Sequence, residues 1–191
     1  MSAETVLPIL WAVWYATWLA AVVFSGRTTV QMGKGESMGG LHRAVVGVGA
    51  LLLFMPERWA GPAGGALWPE PAAVKWALLI LVVAAFGFCW WARLHLGRLW
   101  SGFVTLKEDH RIVDTGPYGL VRHPIYTGAI FAGVITALIK ATPVALVGAA
   151  LIGVGFWLTG RIEEGFLRAQ LGAETYDAYS RRVPMLIPKL I

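Results

Sequence analysis

Apolar residues gather into five stretches, 6–24, 44–55, 72–92, 125–139 and 143–159, with polar connections between them. A helix of about 17–25 apolar residues spans the hydrocarbon of a bilayer. The pattern therefore predicts an all-α, polytopic membrane protein with about five transmembrane helices. The second and fourth stretches are short, which predicts tilt, a re-entrant course or extension at one end. Residues 25–43 are Gly-rich and basic, residues 56–71 are rich in Pro and Gly, and Trp59 and Trp68 suit the membrane interface. Residues 93–123 form a long polar connection, and Lys140, Ala141 and Thr142 form a tight turn that forces its two neighbours antiparallel. The last apolar helix is expected to run on to about Leu171, with Gly172 as its stop signal. The N-terminal stretch has neither a basic lead-in nor a small-residue cleavage pattern, so it reads as a retained span rather than a signal peptide.

Composition supports one integral membrane domain, with N-terminal spans in residues 1–92 and a polar-motif half in residues 93–191. The chain is 57% hydrophobic, 14% charged, and carries ten Trp and one Cys. Cys89 lies in an apolar run and reads as a small packing residue. With five spans, thirteen Lys and Arg fall on one side of the membrane and three on the other. The positive-inside rule then sets the N-terminus outside and the C-terminus in the cytoplasm. Basic loops beside anionic lipid account for the net charge of +5 without any nucleic acid. Ala129, Gly133 and Ala137, and likewise Ala145, Ala149 and Gly153, recur at every fourth position. Small residues at this spacing let membrane helices approach closely, so the last two spans are expected to pack together through them.

Candidate chemistry concentrates in residues 116–128, GPYGLVRHPIYTG. Arg122, His123 and Tyr126 stand at the start of an apolar helix, where charge is costly and marks a functional candidate. Pro124 fits the first helical turn, and its N-terminus favours an anionic ligand group. A membrane anchor of Arg, Tyr and Pro explains the same residues equally well. Arg161, Glu163 and Glu164 sit where the fifth span leaves the membrane. If the last two spans are antiparallel, these acids face Arg122 and His123 and complete a zwitterionic pocket. Taken alone, they read as a solvated turn with local pairing. A Gly-containing aromatic turn, Trp100 to Phe103, offers a lid, and His110 can reach the same pocket from the third connection. The four histidines show no metal-ligand spacing. No phosphate-binding GxxxxGK[ST] loop is present. Gly47 and Gly49 read as helix packing rather than a dinucleotide fingerprint.

Residues 109–128 (DHRIVDTGPYGLVRHPIYTG) and 161–188 (RIEEGFLRAQLGAETYDAYSRRVPMLIP) closely resemble the C-terminal region of the isoprenylcysteine carboxyl methyltransferase family. The resemblance covers roughly residues 97–191, in the family's order and spacing. The acidic run at Glu163 and Glu164 is shorter than in animal members, and the lead-in over residues 99–106 differs. The resemblance implies S-adenosyl-L-methionine bound at the cytoplasmic face without a Rossmann domain. His110, Tyr118, Arg122, His123, Pro124, Tyr126, Glu163 and Glu164 would line that site, and Arg161 and Glu164 would carry the catalytic work, with Arg161 orienting the acceptor. It also implies a lipophilic or prenylated acceptor entering from the bilayer of a bacterial inner membrane, and methyl ester formation on a carboxylate. By the same resemblance, Tyr126 is expected to face the sulfonium by cation–π attraction. Two alternatives stand beside this reading. One is an NADPH-dependent membrane reductase of the sterol-reductase type, which carries a similar Arg-His-Pro-x-Tyr stretch. The other is a non-catalytic membrane scaffold.

Overall fold

The computed structural model describes residues 1–31, 40–69, 71–107 and 111–188. It contains six α-helices and one pair of short strands: α1 (Ala3–Ala20), β1 (Thr28–Gln31), α2 (Leu41–Phe54), α3 (Ala72–Leu96), β2 (Thr105–Lys107), α4 (Pro124–Lys140), α5 (Pro143–Leu171) and α6 (Ala173–Arg182). The helix starts follow local chemistry. Ser2 caps α1 by accepting the Thr5 amide at 3.3 Å, and Thr142 caps α5 by accepting the Ala145 amide at 3.3 Å. Each cap satisfies a backbone donor that has no partner within its own helix. Both α4 and α5 begin on a proline, where the missing N–H costs nothing. Between them Ala141 adopts φ 51°, a left-handed turn closed by its amide on the Ala137 carbonyl at 2.8 Å. The tight turn and the antiparallel course are as the sequence predicts. So is the end of α5, where Gly172 takes φ 96°.

The five apolar helices alternate in direction. At one end Lys75 at the start of α3 pairs with Glu4 at the start of α1. At that same end Lys140, closing α4, donates to the Met55 carbonyl beyond α2 at 3.2 Å. Three helical segments, Ala3–Phe24, Ala72–Leu99 and Pro143–Leu171, are long and apolar enough to cross a membrane, while α2 and α4 are shorter apolar helices. At about 1.5 Å per residue, the 14 residues of α2 and 17 of α4 reach about 21 and 26 Å, short of a ~30 Å hydrocarbon core. The 29 residues of α5 reach about 43 Å, so its last turns project beyond the apolar layer.

Small residues set the packing, in part between α4 and α5 as the fourfold spacing suggests, and more closely between α2 and α5. The closest backbone approach joins α2 to α5: a Cβ at Gly148 would lie 2.5 Å from the Leu53 amide nitrogen, and one at Gly49 2.8 Å from the Gly148 carbonyl oxygen. A Cβ at Gly153, by contrast, would only graze Ile130 at 4.0 Å. Ala137 of α4 and Ala145 and Ala149 of α5 do share one buried cluster, completed by Leu53 of α2. A spacing of four marks a surface fit for close approach without naming its partner, and α2 takes that place. Gly49 is thus a packing residue, as expected. Gly128 brings α4 against α3, where an added Cβ would sit 2.5 Å from the Cys89 sulfur.

The α1–α3–α4 interface is aromatic. Trp11 donates to the Thr136 hydroxyl at 3.0 Å, and Trp11 and Trp14 both pack on Phe86, with centroids 4.9 Å apart in each case. The purely helical expectation needs one correction. β1 and β2 pair antiparallel, Thr28 with Lys107 and Gln31 with Thr105, so the first and third connections are joined into a strap over one end of the bundle.

Candidate functional site

The site grows from the end of the bundle opposite Glu4 and Lys75. Gly116 (φ 57°) fits against the His95 ring, where a Cβ would come within 2.8 Å. This seats a 3₁₀ turn, Gly116–Gly119, with Tyr118 buried. The chain then extends through Arg122 and His123 into α4. Their amides donate to the Pro184 and Met185 carbonyls at 2.8 and 3.1 Å, and the Thr127 hydroxyl donates to the Leu186 carbonyl at 2.7 Å. The Arg-His-Pro and Arg-Val-Pro stretches, some sixty residues apart, are therefore buttoned together along their backbones.

Side chains complete the join. Arg122 Nε donates to Glu164 Oε1 at 2.7 Å, and its Nη1 donates to the Ser180 carbonyl at 3.0 Å and to that of Val183. His123 Nε2 lies 3.2 Å from the same Glu164 oxygen, while its Nδ1 lies 3.6 Å from Glu163 Oε2. The Tyr126 hydroxyl donates to Glu163 Oε2 at 2.8 Å. The Tyr126 ring lies between His123 (centroids 5.2 Å, planes 6° apart) and Phe156 (5.0 Å, 23°). One carboxylate therefore serves the Arg122–His123 pair, and its neighbour serves the Tyr126 hydroxyl.

A cavity of about 840 Å³, counting its open mouth, lies beside this cluster. Its lining mixes Tyr118, Arg122, His123, Tyr126 and Glu163 with apolar Pro124, Leu96, Trp100, Ile125 and Leu167. Burial, with Glu163 adding to it, pushes the Tyr118 phenol far above its ordinary value. Burial does the same to Tyr176 and Tyr179, so all three remain neutral hydrogen-bonding groups. Tyr179 uses its hydroxyl to hold the Tyr118 carbonyl at 2.8 Å.

Several sequence expectations change in this geometry. No cleft separates Arg122 and His123 from Glu164, because they bond to one another, and Glu163 rather than Glu164 lines the cavity. Tyr126 stacks on His123 and on Phe156, and its hydroxyl is held by Glu163. Arg161 contacts Glu164 Oε2 only at 3.7 Å and is 62% exposed. It lines a separate groove with Trp157, Arg168, Met185 and Ile187, on the far side of the Arg122–Glu164 pair. His110 lies outside the described residues. Of the expected lid, Trp100, Ser101 and Phe103 all line the cavity, Trp100 buried and Phe103 59% exposed.

Sequence reasoning passed over Arg111 and Thr105, which line the same cavity. The Thr105 hydroxyl is buried and has no hydrogen-bond partner among the described residues. Neither carries a motif signal. Thr105 reaches the site only because β2 is drawn in by β1, a long-range pairing.

A bundle of apolar helices, three of them long enough to span a membrane, is the architecture of an integral membrane protein, and a mixed cavity beside an acid–base cluster at one end of the bundle is its candidate site. The model of the isoprenylcysteine carboxyl methyltransferase family matches residues 77–166, which hold Arg122, His123, Tyr126, Glu163 and Glu164. The cobalt-zinc-cadmium resistance protein CzcN of Cupriavidus metallidurans is 29% identical over 157 residues, 79% of this chain and 63% of that one. The protein-S-isoprenylcysteine O-methyltransferase of Xenopus laevis is 28% identical over 129 residues, 64% of this chain and 44% of that one. Its Homo sapiens counterpart is 28% identical over 126 residues, 63% and 44% of the two chains. Over these residues the chain resembles the isoprenylcysteine carboxyl methyltransferase family, and it spans 44% of the length of these two eukaryotic relatives.

Proposed function

We propose that this chain is an S-adenosyl-L-methionine-dependent methyltransferase that esterifies a carboxylate on a lipophilic acceptor. The observation that carries the reading is the mixed cavity, whose lining combines charged groups of both signs with apolar and aromatic side chains. The residues present fit the donor molecule. Glu163 offers a carboxylate to an ammonium group or ribose hydroxyls, Arg111 offers a cation to a carboxylate, and the partnerless Thr105 hydroxyl awaits a hydrogen bond. Tyr118 and Tyr176 bring neutral aromatic surface to the same space. His110 remains a proposed member of the site by family resemblance.

Bound S-adenosyl-L-methionine supplies an electrophilic methyl group; the protein's task is to bind, orient and exclude water. A carboxylate acceptor is ionised at neutral pH and needs no strong base, so positioning dominates. In this reading the Arg122–Glu164–His123 cluster is the rigid frame of the site. Glu163 with Tyr126 forms its ligand-facing edge, and Arg161 orients the acceptor carboxylate from the adjoining groove by charge-assisted bonds. All five apolar helices cross the membrane, α2 and α4 by tilt or local thinning. The basic end, which bears the site, faces the cytoplasm, in a bacterial inner membrane.

Isothermal titration of the purified protein with S-adenosylhomocysteine and, separately, NADPH tests this. Saturable heat with S-adenosylhomocysteine alone is expected. Saturable heat with NADPH alone would transfer the chain to the reductase reading, and no heat with either would favour a scaffold. Membranes incubated with radiolabelled methyl donor, then extracted, would yield the labelled acceptor.

A further inference from the structure

A second cleft, of about 1300 Å³ counting its open mouth, opens between the C-terminal ends of α1 and α3. Trp90, Arg93, Leu94 and Arg98 line it from α3 and the turn after it, facing Ala21, Phe24 and Ser25 from α1 and the turn that follows. It shares no lining residue with the methyl-donor cavity. Its walls carry two arginines and no acidic residue.

Arg93 is only 4% exposed and has no carboxylate within ion-pair distance among the described residues. Its Nη2 donates to the Ala21 carbonyl at 2.6 Å, which neutralises the end of α1. The guanidinium lies 3.6 Å from the centroid of the Trp100 ring. Its Nε has no hydrogen-bond partner among the described residues. A buried cation with an orphaned donor is costly unless a further partner meets it. Arg98 at the rim is exposed and lacks an ion pair among the described residues, while its carbonyl accepts the Gly26 amide at 2.8 Å. Around these charges the surface is apolar and open: Val23, Phe24 and Leu94 are each more than 70% exposed. Two cations at the C-terminal end of α3, bordered by outward-facing hydrocarbon, match a molecule with an anionic head and acyl chains.

We infer that this cleft is a binding site for an anionic phospholipid, with its phosphate on Arg98 and Arg93 and its acyl chains along Val23, Phe24 and Leu94. The chemistry is that of basic pockets between membrane helices, which select anionic head groups. The inference does not depend on the methyltransferase reading, because the cleft and the cavity assigned to the methyl donor have no lining residue in common.

The test is native mass spectrometry of the detergent-solubilised full chain with equimolar phosphatidylglycerol and phosphatidylcholine of matched acyl chains. The unaltered protein should retain phosphatidylglycerol at least fivefold over phosphatidylcholine. Arg98→Gln should bring the ratio towards one, Arg98→Lys should preserve most of it, and Arg58→Gln, at the other end of the bundle, should leave it unchanged. Equal retention of the two lipids by the unaltered protein would overturn the inference. So would equal losses from Arg98→Gln and Arg58→Gln, which would indicate diffuse surface charge. Displacement of phosphatidylglycerol by millimolar inorganic phosphate would also overturn it, by showing a site for the free anion.

Discussion

The first and last long helices are alike in hydropathy and opposite in use. Only 6% of the apolar span of α1 is buried, against 39% for α5. α1 meets its neighbours through a few large aromatic side chains, Trp11 and Trp14 above all, and leaves Val13, Tyr15 and Leu19 exposed. α5 meets α2 through glycines at backbone distance and then carries Glu163 and Glu164 out to the cavity end. Aromatic contacts tolerate lipid on the remaining faces, whereas a helix that must deliver two carboxylates to defined atoms needs its rotation and height fixed. Close glycine packing does that, since one residue along a helix turns a side chain by about 100°.

The sharpest way to break this contrast is Glu164→Ala. It leaves Arg122 and His123 without their carboxylate in a site where the two ion-paired side chains, Arg122 and Glu164, are 11% and 9% exposed. Loss of one partner of a buried pair costs about 3–5 kcal/mol, so the thermal midpoint of the solubilised protein should fall steeply. Val13→Ala on the outer face of α1 should leave it unchanged. Glu163→Gln should act differently, weakening S-adenosylhomocysteine binding about ten- to hundredfold, the ~1.5–3 kcal/mol of a charge-assisted bond, with little change in melting; titration calorimetry separates the two effects. Gly148→Ala should destabilise by about 1–3 kcal/mol through overpacking against Leu53. Gly47→Ala, with open space around its Cβ position, should gain about 0.5–1 kcal/mol from helix propensity. Arg161→Ala should lower turnover about ten- to hundredfold while shifting stability by less than about 1 kcal/mol, as exposed pairs do.

The smallest effect concerns α6. Arg168 holds Asp177 through two bonds of 2.8 and 2.9 Å, which keeps that carboxyl below its ordinary value. A depressed carboxyl contributes stability above its unfolded pKa, about 3.9, and loses it as pH falls through the folded value. Protection of α6 amides against hydrogen exchange should therefore be flat from pH 8 to 5 and decline below about 4, and Asp177→Asn should remove that decline.

Much of the fold was legible because it rests on local signals. Apolar runs gave the helices, Pro124, Thr142, Pro143 and Gly172 gave their ends, and the three-residue turn set α4 against α5. This turn also explains why His123 and Glu164 meet. The rest depends on relations between distant residues. Which of two adjacent glutamates faces the cavity follows from the rotation of α5, and α2 sets that rotation. The β1–β2 pairing joins two polar connections whose alternation is weak, so neither segment announces a strand. Arg93 reads as one more basic residue at a helix end until the structure lays it on Trp100 and α1.

The backbone pairing of Arg122 and His123 with Pro184 and Met185 has a practical corollary for anyone handling the protein. Residues 183–187 act as a latch on the end of the bundle that bears the cavity, even though they follow the last helix among the described residues. A deletion series stopping at Arg182 should therefore yield inserted but inactive protein. Affinity tags or reporters at the C-terminus call for a spacer long enough to let that latch close.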